Sequence, residues 1–174
     1  MPENLFFLAV IPPEPLYTSI ENLKHTMSDR FHSKHALKSP PHITVIPPFW
    51  YDANEIKELY QSVSERASSF LPIEIELQNF NCFRPRVIYV DVLDPTNRLR
   101  DLNEALKSHF LKGYNLTPDK RDVYRPHCTI GFKDLTPKMF YQAWDYFKKQ
   151  EFNASFKTRD VALLQHEQGR WKVV

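Results

Sequence analysis

Apolar residues recur along this chain in two alternating periods. Residues 5–11 form a short, nearly unbroken apolar run, which predicts a strand. Pro12-Pro13 ends it, and Pro13 can open a helix because its missing N–H falls where no intrahelical partner is needed. Leu16, Ile20, Leu23 and Met27 then fall at helical spacing. Residues 38–41 read as a loop. Residues 42–47 alternate and are rich in β-branched side chains, which predicts a second strand. Asp52, with Glu55 three residues on, predicts a capping box before a helix whose apolar face is Ile56, Leu59, Tyr60 and Val63. After Pro72, Ile73, Ile75 and Leu77 alternate with Glu74, Glu76 and Gln78, the pattern of a half-exposed strand.

The same order then recurs. A strand is predicted over 87–93, followed by a helix from Pro95 carrying Leu99, Leu102, Leu106 and Phe110. A polar, charged loop follows over 112–125 and a strand over 127–132. Thr136 caps a helix with Pro137 at its first position and an apolar stripe of Phe140, Trp144 and Phe147. Closing strands are predicted over 152–156, 161–165 and 170–174. The opening strands start 82 residues apart (87 − 5). The expectation is a single α+β domain over 1–174 with pseudo-twofold halves of about 1–83 and 84–174. Such a bilobal, duplicated fold would set two mainly antiparallel sheets face to face across a central cleft, with helices outside.

Composition narrows the class. At 174 residues, 42% hydrophobic and 25% charged, the chain can bury a core within one domain. No run approaches the roughly 18 apolar residues of a spanning helix, so no membrane partner is expected. The start, Met1-Pro2-Glu3-Asn4, lacks the basic segment of a secretion signal. Cys82 and Cys128 are too few for a disulfide scaffold or a four-cysteine metal site, which points to a reduced, cytoplasmic protein. A net charge of +2 argues against gripping a DNA duplex by many phosphates; an RNA would be held at a terminus or as a small fragment. Three glycines provide no Gly-rich phosphate loop, so side chains and strand backbone must hold any phosphate. Nothing in the pattern calls for an oligomer, and a monomer is the expectation.

The chemistry lies in a doublet. His42-Ile43-Thr44-Val45 recurs as His127-Cys128-Thr129-Ile130, each after a proline, with the histidines 85 residues apart (127 − 42). The other five histidines lack a Ser or Thr two residues on. A strand projects residues i and i+2 to one face, so His42 joins Thr44 and His127 joins Thr129, while Cys128 turns into a core. If the halves face each other, two imidazoles and two hydroxyls meet across one cleft, which is equipment for acid–base chemistry on a phosphate. Two histidines fall short of the four protein ligands a structural zinc takes, so no metal is expected.

Several neighbours are candidates for substrate binding. Arg125 lies two before His127, and Tyr124 could stack on a base. Arg84 and Arg86 flank Pro85, and either could pair a terminal phosphate by its fork of donors. Phe49 and Trp50 could wall a nucleobase. Taken singly, each also fits a plainer role as a solvated arginine or a packing aromatic. Lys120-Arg121 reads as part of a solvated loop.

With Pro-Pro-His-Ile-Thr-Val, Arg-Pro-His-Cys-Thr-Ile and the duplicated element order in view, the chain resembles the 2H phosphoesterase superfamily, especially its 2′-5′ RNA ligase-like branch. The resemblance implies a cofactor-free, metal-independent phosphodiesterase. Such an enzyme hydrolyses, or reversibly ligates, 2′,3′-cyclic or 2′,5′-linked phosphates of RNA ends or nucleotides. It implies catalysis by His42, Thr44, His127 and Thr129, with His127 as base and His42 as acid in hydrolysis and the roles exchanged in ligation. Residues 46–50 depart from the best-known ligase members, implying a different substrate pocket. A nucleotide- or RNA-end-binding module with little turnover is the alternative.

Overall fold

The computed structural model describes residues 2–117 and 123–174, and its elements follow the predicted order. They are β1 (Glu3–Val10), α1 (Leu16–Phe31), β2 (Ile43–Asp52), α2 (Ile56–Ser68) and β3 (Ile73–Phe83). After them come β4 (Val87–Leu93), α3 (Arg98–Tyr114), β5 (His127–Gly131), α4 (Pro137–Phe147), β6 (Asn153–Thr158), β7 (Ala162–Glu167) and β8 (Arg170–Val173). Two four-stranded sheets result, ordered β2-β1-β7-β8 and β5-β4-β3-β6. Every pairing between described strands is antiparallel. The architecture is the expected two-sheet α+β fold. The sheets nevertheless do not coincide with the sequence halves. β3 crosses to pair with β4, while β7 and β8 cross back beside β1.

Three local expectations change. β2 does not stop at Pro47 but runs to Asp52. It is an edge strand, and its register jumps from Leu8↔Ile46 to Phe6↔Phe49. Pro47 and Pro48 sit in that bulge, where no ladder donor is demanded of them. Asp52 does not cap α2. Its carboxylate accepts from the Asn54 N–H at 2.8 Å, forming an Asx turn, and the helix opens at Ile56 without a side-chain cap. α3 continues three residues into the predicted loop, to Tyr114, and ends on Asn115 in the left-handed region (φ 53°). Lys120 and Arg121 lie outside the described residues. The predicted cap of α4 is present: Thr136 Oγ1 accepts from the Met139 N–H at 3.3 Å, with Pro137 in the first turn.

Strand alternation sets the burial. Ile73, Ile75 and Leu77 are buried, while Glu74, Glu76 and Gln78 are at or near the surface. One continuous core gathers Phe6, Leu8 and Val10 of β1, Val90 and Val92 of β4, Phe110 of α3, and Phe140 and Phe147 of α4. Each such side chain contributes about 1.5–3 kcal/mol by leaving water. Gly131 lets α1 approach β5 closely, because a side chain there would run into Met27. A smaller cluster of Phe7, Ala9 and Leu164, with Trp171 packed on it, occupies the other face of the first sheet. Among the described residues no helix is long and apolar enough to cross a membrane.

Candidate active site

Each motif histidine stands at the mouth of a strand, held from below by the residue two before it. His42 Nδ1 donates to the Pro40 carbonyl at 2.8 Å, and His127 Nδ1 donates to the Arg125 carbonyl at 2.7 Å. A carbonyl can only accept, so Nδ1 carries the hydrogen and Nε2 is left with the lone pair in each neutral ring. Aromatic rings from the neighbouring strand support both imidazoles. Phe7 of β1 lies 5.0 Å from His42, and Tyr89 of β4 lies 5.1 Å from His127. Phe83 meets His127 edge-on at 5.1 Å. Thr44 pairs in register with Ala9 and Thr129 with Tyr89, which sets both threonines beside these platforms. Both threonines are half-buried.

Contacts between the sheets bring the motifs together. β2 touches β5 directly. The Cys128 thiol meets the backbone of His42, and the Tyr124 hydroxyl donates to the Thr44 carbonyl at 2.5 Å. One residue on, the Val45 carbonyl accepts from Asn103 Nδ2 of α3 at 2.7 Å. The edge strand that carries the first motif is thus braced twice by side chains from the second half.

Charge in the site is uneven. Burial pushes His42 down to about 4. The Pro40 carbonyl opposes this, and the positive charges of Lys24 and His127 add to the depression. At neutral pH His42 in the free protein is therefore uncharged, the state of a proton acceptor. The acid role that the resemblance implied for it requires the negative charge of a bound phosphate to raise its pKa. Lys24 is an unusual neighbour, 1% exposed. Its Nζ donates to Glu21 Oε1 at 3.1 Å and to the Ser39 carbonyl at 2.7 Å, immediately before the Pro40 that holds His42. Burial lowers the Lys24 pKa against the pull of Glu21. Burial raises Cys128 to about 11, so its thiol stays protonated, facing the core as its alternation predicted.

The remaining candidates divide. Phe49 is 5% exposed and packs on Phe110 at 4.9 Å and Phe6 at 6.3 Å, so it belongs to the core and cannot wall a base. Trp50, on the opposite face, is exposed but lies eight residues from His42, roughly 26 Å along an extended strand. Tyr124 spends its hydroxyl on Thr44 and packs its ring against the core, which makes it a brace rather than an open stacking surface. Arg125 is exposed, and its charge reaches Tyr89, the ring beneath His127. Arg84 and Arg86 are exposed in the β3–β4 turn, where the Arg86 N–H donates to the Phe83 carbonyl at 2.8 Å. Phe83 is the member of that turn that touches His127.

Sequence reasoning missed Phe7, Tyr89, Phe83 and Lys24. Phe7 sits in an unbroken apolar run, where periodicity assigns no face. Only the tertiary pairing shows that it shares a face of β1 with Ala9, the register partner of Thr44, and so reaches His42. Among the described residues no three His, Cys, Asp or Glu side chains gather as a metal site.

Comparison with known proteins identifies the family and the fold. Residues 12–170 match the sequence profile of the 2′-5′ RNA ligase superfamily. A Geobacillus kaustophilus protein, provisionally described as a phosphoesterase, is 30% identical over 169 residues, covering 95% of this chain and 91% of its own. Among solved structures, TT0787 of Thermus thermophilus superposes with a TM-score of 0.63 at 18% identity, covering 98% of this chain and 94% of its own. E. coli LigT complexed with 3′-AMP superposes with a TM-score of 0.63 at 16% identity, covering 99% and 94%. At these identities the two structures establish a shared fold.

Proposed function

Because the chain belongs to the 2′-5′ RNA ligase superfamily of two-histidine phosphoesterases, we propose that it is a metal-independent phosphodiesterase acting on 2′,3′-cyclic or 2′,5′-linked phosphates of RNA ends or nucleotides. The observation that carries the proposal is the matched pair of cradles. Two His-x-Thr motifs lie against each other, and each Nδ1 is tied to a carbonyl, which fixes the same tautomer, with Nε2 as the basic nitrogen, in both neutral rings. The 3′-AMP bound by LigT supports a nucleotide as the ligand class.

In hydrolysis of a cyclic phosphate, Nε2 of neutral His42 takes a proton from water as the water oxygen bonds to phosphorus. Protonated His127 gives its proton to the ribose oxygen as the P–O bond breaks. Thr44 and Thr129 donate hydrogen bonds to the non-bridging oxygens, where charge grows in the transition state. The phosphate's own negative charge raises the basicity of both imidazoles when it enters. The reverse sequence of proton transfers ligates.

The test is incubation with a 2′,3′-cyclic mononucleotide, following release of the phosphomonoester. His42→Ala and His127→Ala are each expected to lower turnover by about 10²–10⁴-fold, and EDTA is expected to have no effect. Full activity in His42→Ala protein overturns the reading. Binding by the wild type without release selects a binding module instead.

A further inference from the structure

A cavity of about 420 Å³ opens beside the His42 cradle, between α1, the 3₁₀ turn His35–Lys38 and the edge strand β8. Its size falls within the range of small-ligand pockets, roughly 300–1,000 Å³. It shares two walls with the cradle. Pro40, whose carbonyl holds His42, is one. Trp171 is the other; it packs edge-on against Phe7 at 4.6 Å, and Phe7 rests against His42.

The lining joins aromatic faces to positive charge. Tyr17 and Trp171 are both half-buried at its walls. Lys38, Arg170 and Lys172 face one carboxylate, Glu21. Glu21 is already paired with Lys24, and Lys172 pairs with Glu167 at 2.8 Å. Arg170 reaches the Leu37 carbonyl with Nη1 alone, at 3.4 Å, which leaves the rest of its donor fork. Among the described residues, Lys38 and Arg170 therefore have no carboxylate partner. Cations that meet a backbone phosphate, set beside aromatic faces that stack a base, are the combination by which proteins hold single-stranded nucleic acid.

We propose that this cavity is a subsite for the nucleotide adjoining the one that bears the reacting phosphate. Lys38 and Arg170 hold the connecting phosphodiester, and the base lies against Tyr17 and Trp171. The proposal rests on the two-histidine reading for where the reacting phosphate sits, and it adds the subsite.

Calorimetric titration with a 3′-phosphorylated dinucleotide and a 3′-mononucleotide tests the cavity without requiring turnover. The wild type is expected to bind the dinucleotide about tenfold more tightly. Lys38→Ala combined with Arg170→Ala is expected to bring the dinucleotide down to the mononucleotide's affinity. Equal or undetectable binding of the two probes by the wild type overturns the proposal, as does an advantage that survives in the double variant. Cyclic-phosphate release, measured in parallel, separates the two ideas. A length preference without turnover sinks the enzymatic reading and leaves the cavity. Turnover without a length preference does the reverse.

Discussion

The hydroxyl of Tyr124 donates to the main-chain carbonyl of Thr44 at 2.5 Å, joining the approach to the second motif to the backbone of the first across 80 residues. Burial, reinforced by the charge of Asp94, raises the phenol well above its ordinary pKa, so the hydroxyl remains a donor throughout the working range. Tyr124→Phe keeps the ring and deletes the donor. The expected cost is about 1 kcal/mol of stability in urea unfolding. A drop of about tenfold in kcat, with KM little changed, is expected as Thr44 loses its fixed position. A variant with wild-type kcat would show that the brace does not reach the chemistry.

The depressed pKa of His42 gives a signed pH dependence. With a free-protein value of about 4, His42 is neutral above that pH and charged below it. As a base it supports a kcat/KM that rises as pH increases through about 4 and then levels, with any alkaline fall belonging to the partner acid. The two limbs report apparent values of the pair, since each imidazole feels the other. A profile of kcat/KM between about pH 3.5 and 9 checks this. Activity that declines steadily from about pH 4 to 6 would return the acid role to His42.

Lys24 acts on His42 in two ways. Its charge disfavours the imidazolium, and its Nζ fixes the Ser39 carbonyl next to the Pro40 carbonyl that orients the ring. Lys24→Met fills nearly the same buried space without the charge. The acid limb of kcat/KM is then expected to move to higher pH, and the His42 imidazole resonances are expected to titrate at higher pH by NMR. Lys24→Arg is expected to keep the limb near its original position. Identical titration curves in wild type and Lys24→Met would assign Lys24 a purely structural role.

Asn103 braces the motif strand from behind. Its side chain is 1% exposed, and Nδ2 donates to the Val45 carbonyl, while Oδ1 has no hydrogen-bond partner among the described residues. Asn103→Leu removes both a made bond and an unmet one, so the expected loss is only about 1 kcal/mol in denaturant unfolding. Asn103→Ala also leaves a cavity and is expected to cost more. Equal stabilities for the two variants would contradict this account.

Much of the site was legible from residue spacing, and its limits are physical. The strand period of two put His42 with Thr44 and His127 with Thr129, and it sent Cys128 the other way, into the core. The helical period found the buried faces of all four helices. The same reasoning failed at Phe49. That residue follows a proline pair whose bulge shifts the register, and the side chain ends in the core against Phe110. Tyr124 looked like a stacking residue because sequence offers no sign of a carbonyl 80 residues away waiting for its hydroxyl.

By itself the sequence determined the order of elements, the face each motif residue takes on its strand, and the pairing of two identical chemical sets. Those properties follow from local backbone geometry, which repeats every two or about 3.6 residues and needs no knowledge of neighbours. The tertiary structure alone decided which strands are neighbours. It sent β3 into the second sheet and returned β7 and β8 to the first, laid Phe7 and Tyr89 beside the two histidines, and buried a lysine charge next to His42. Such arrangements arise from hydrogen bonds and contacts between residues distant along the chain, and no local period encodes them.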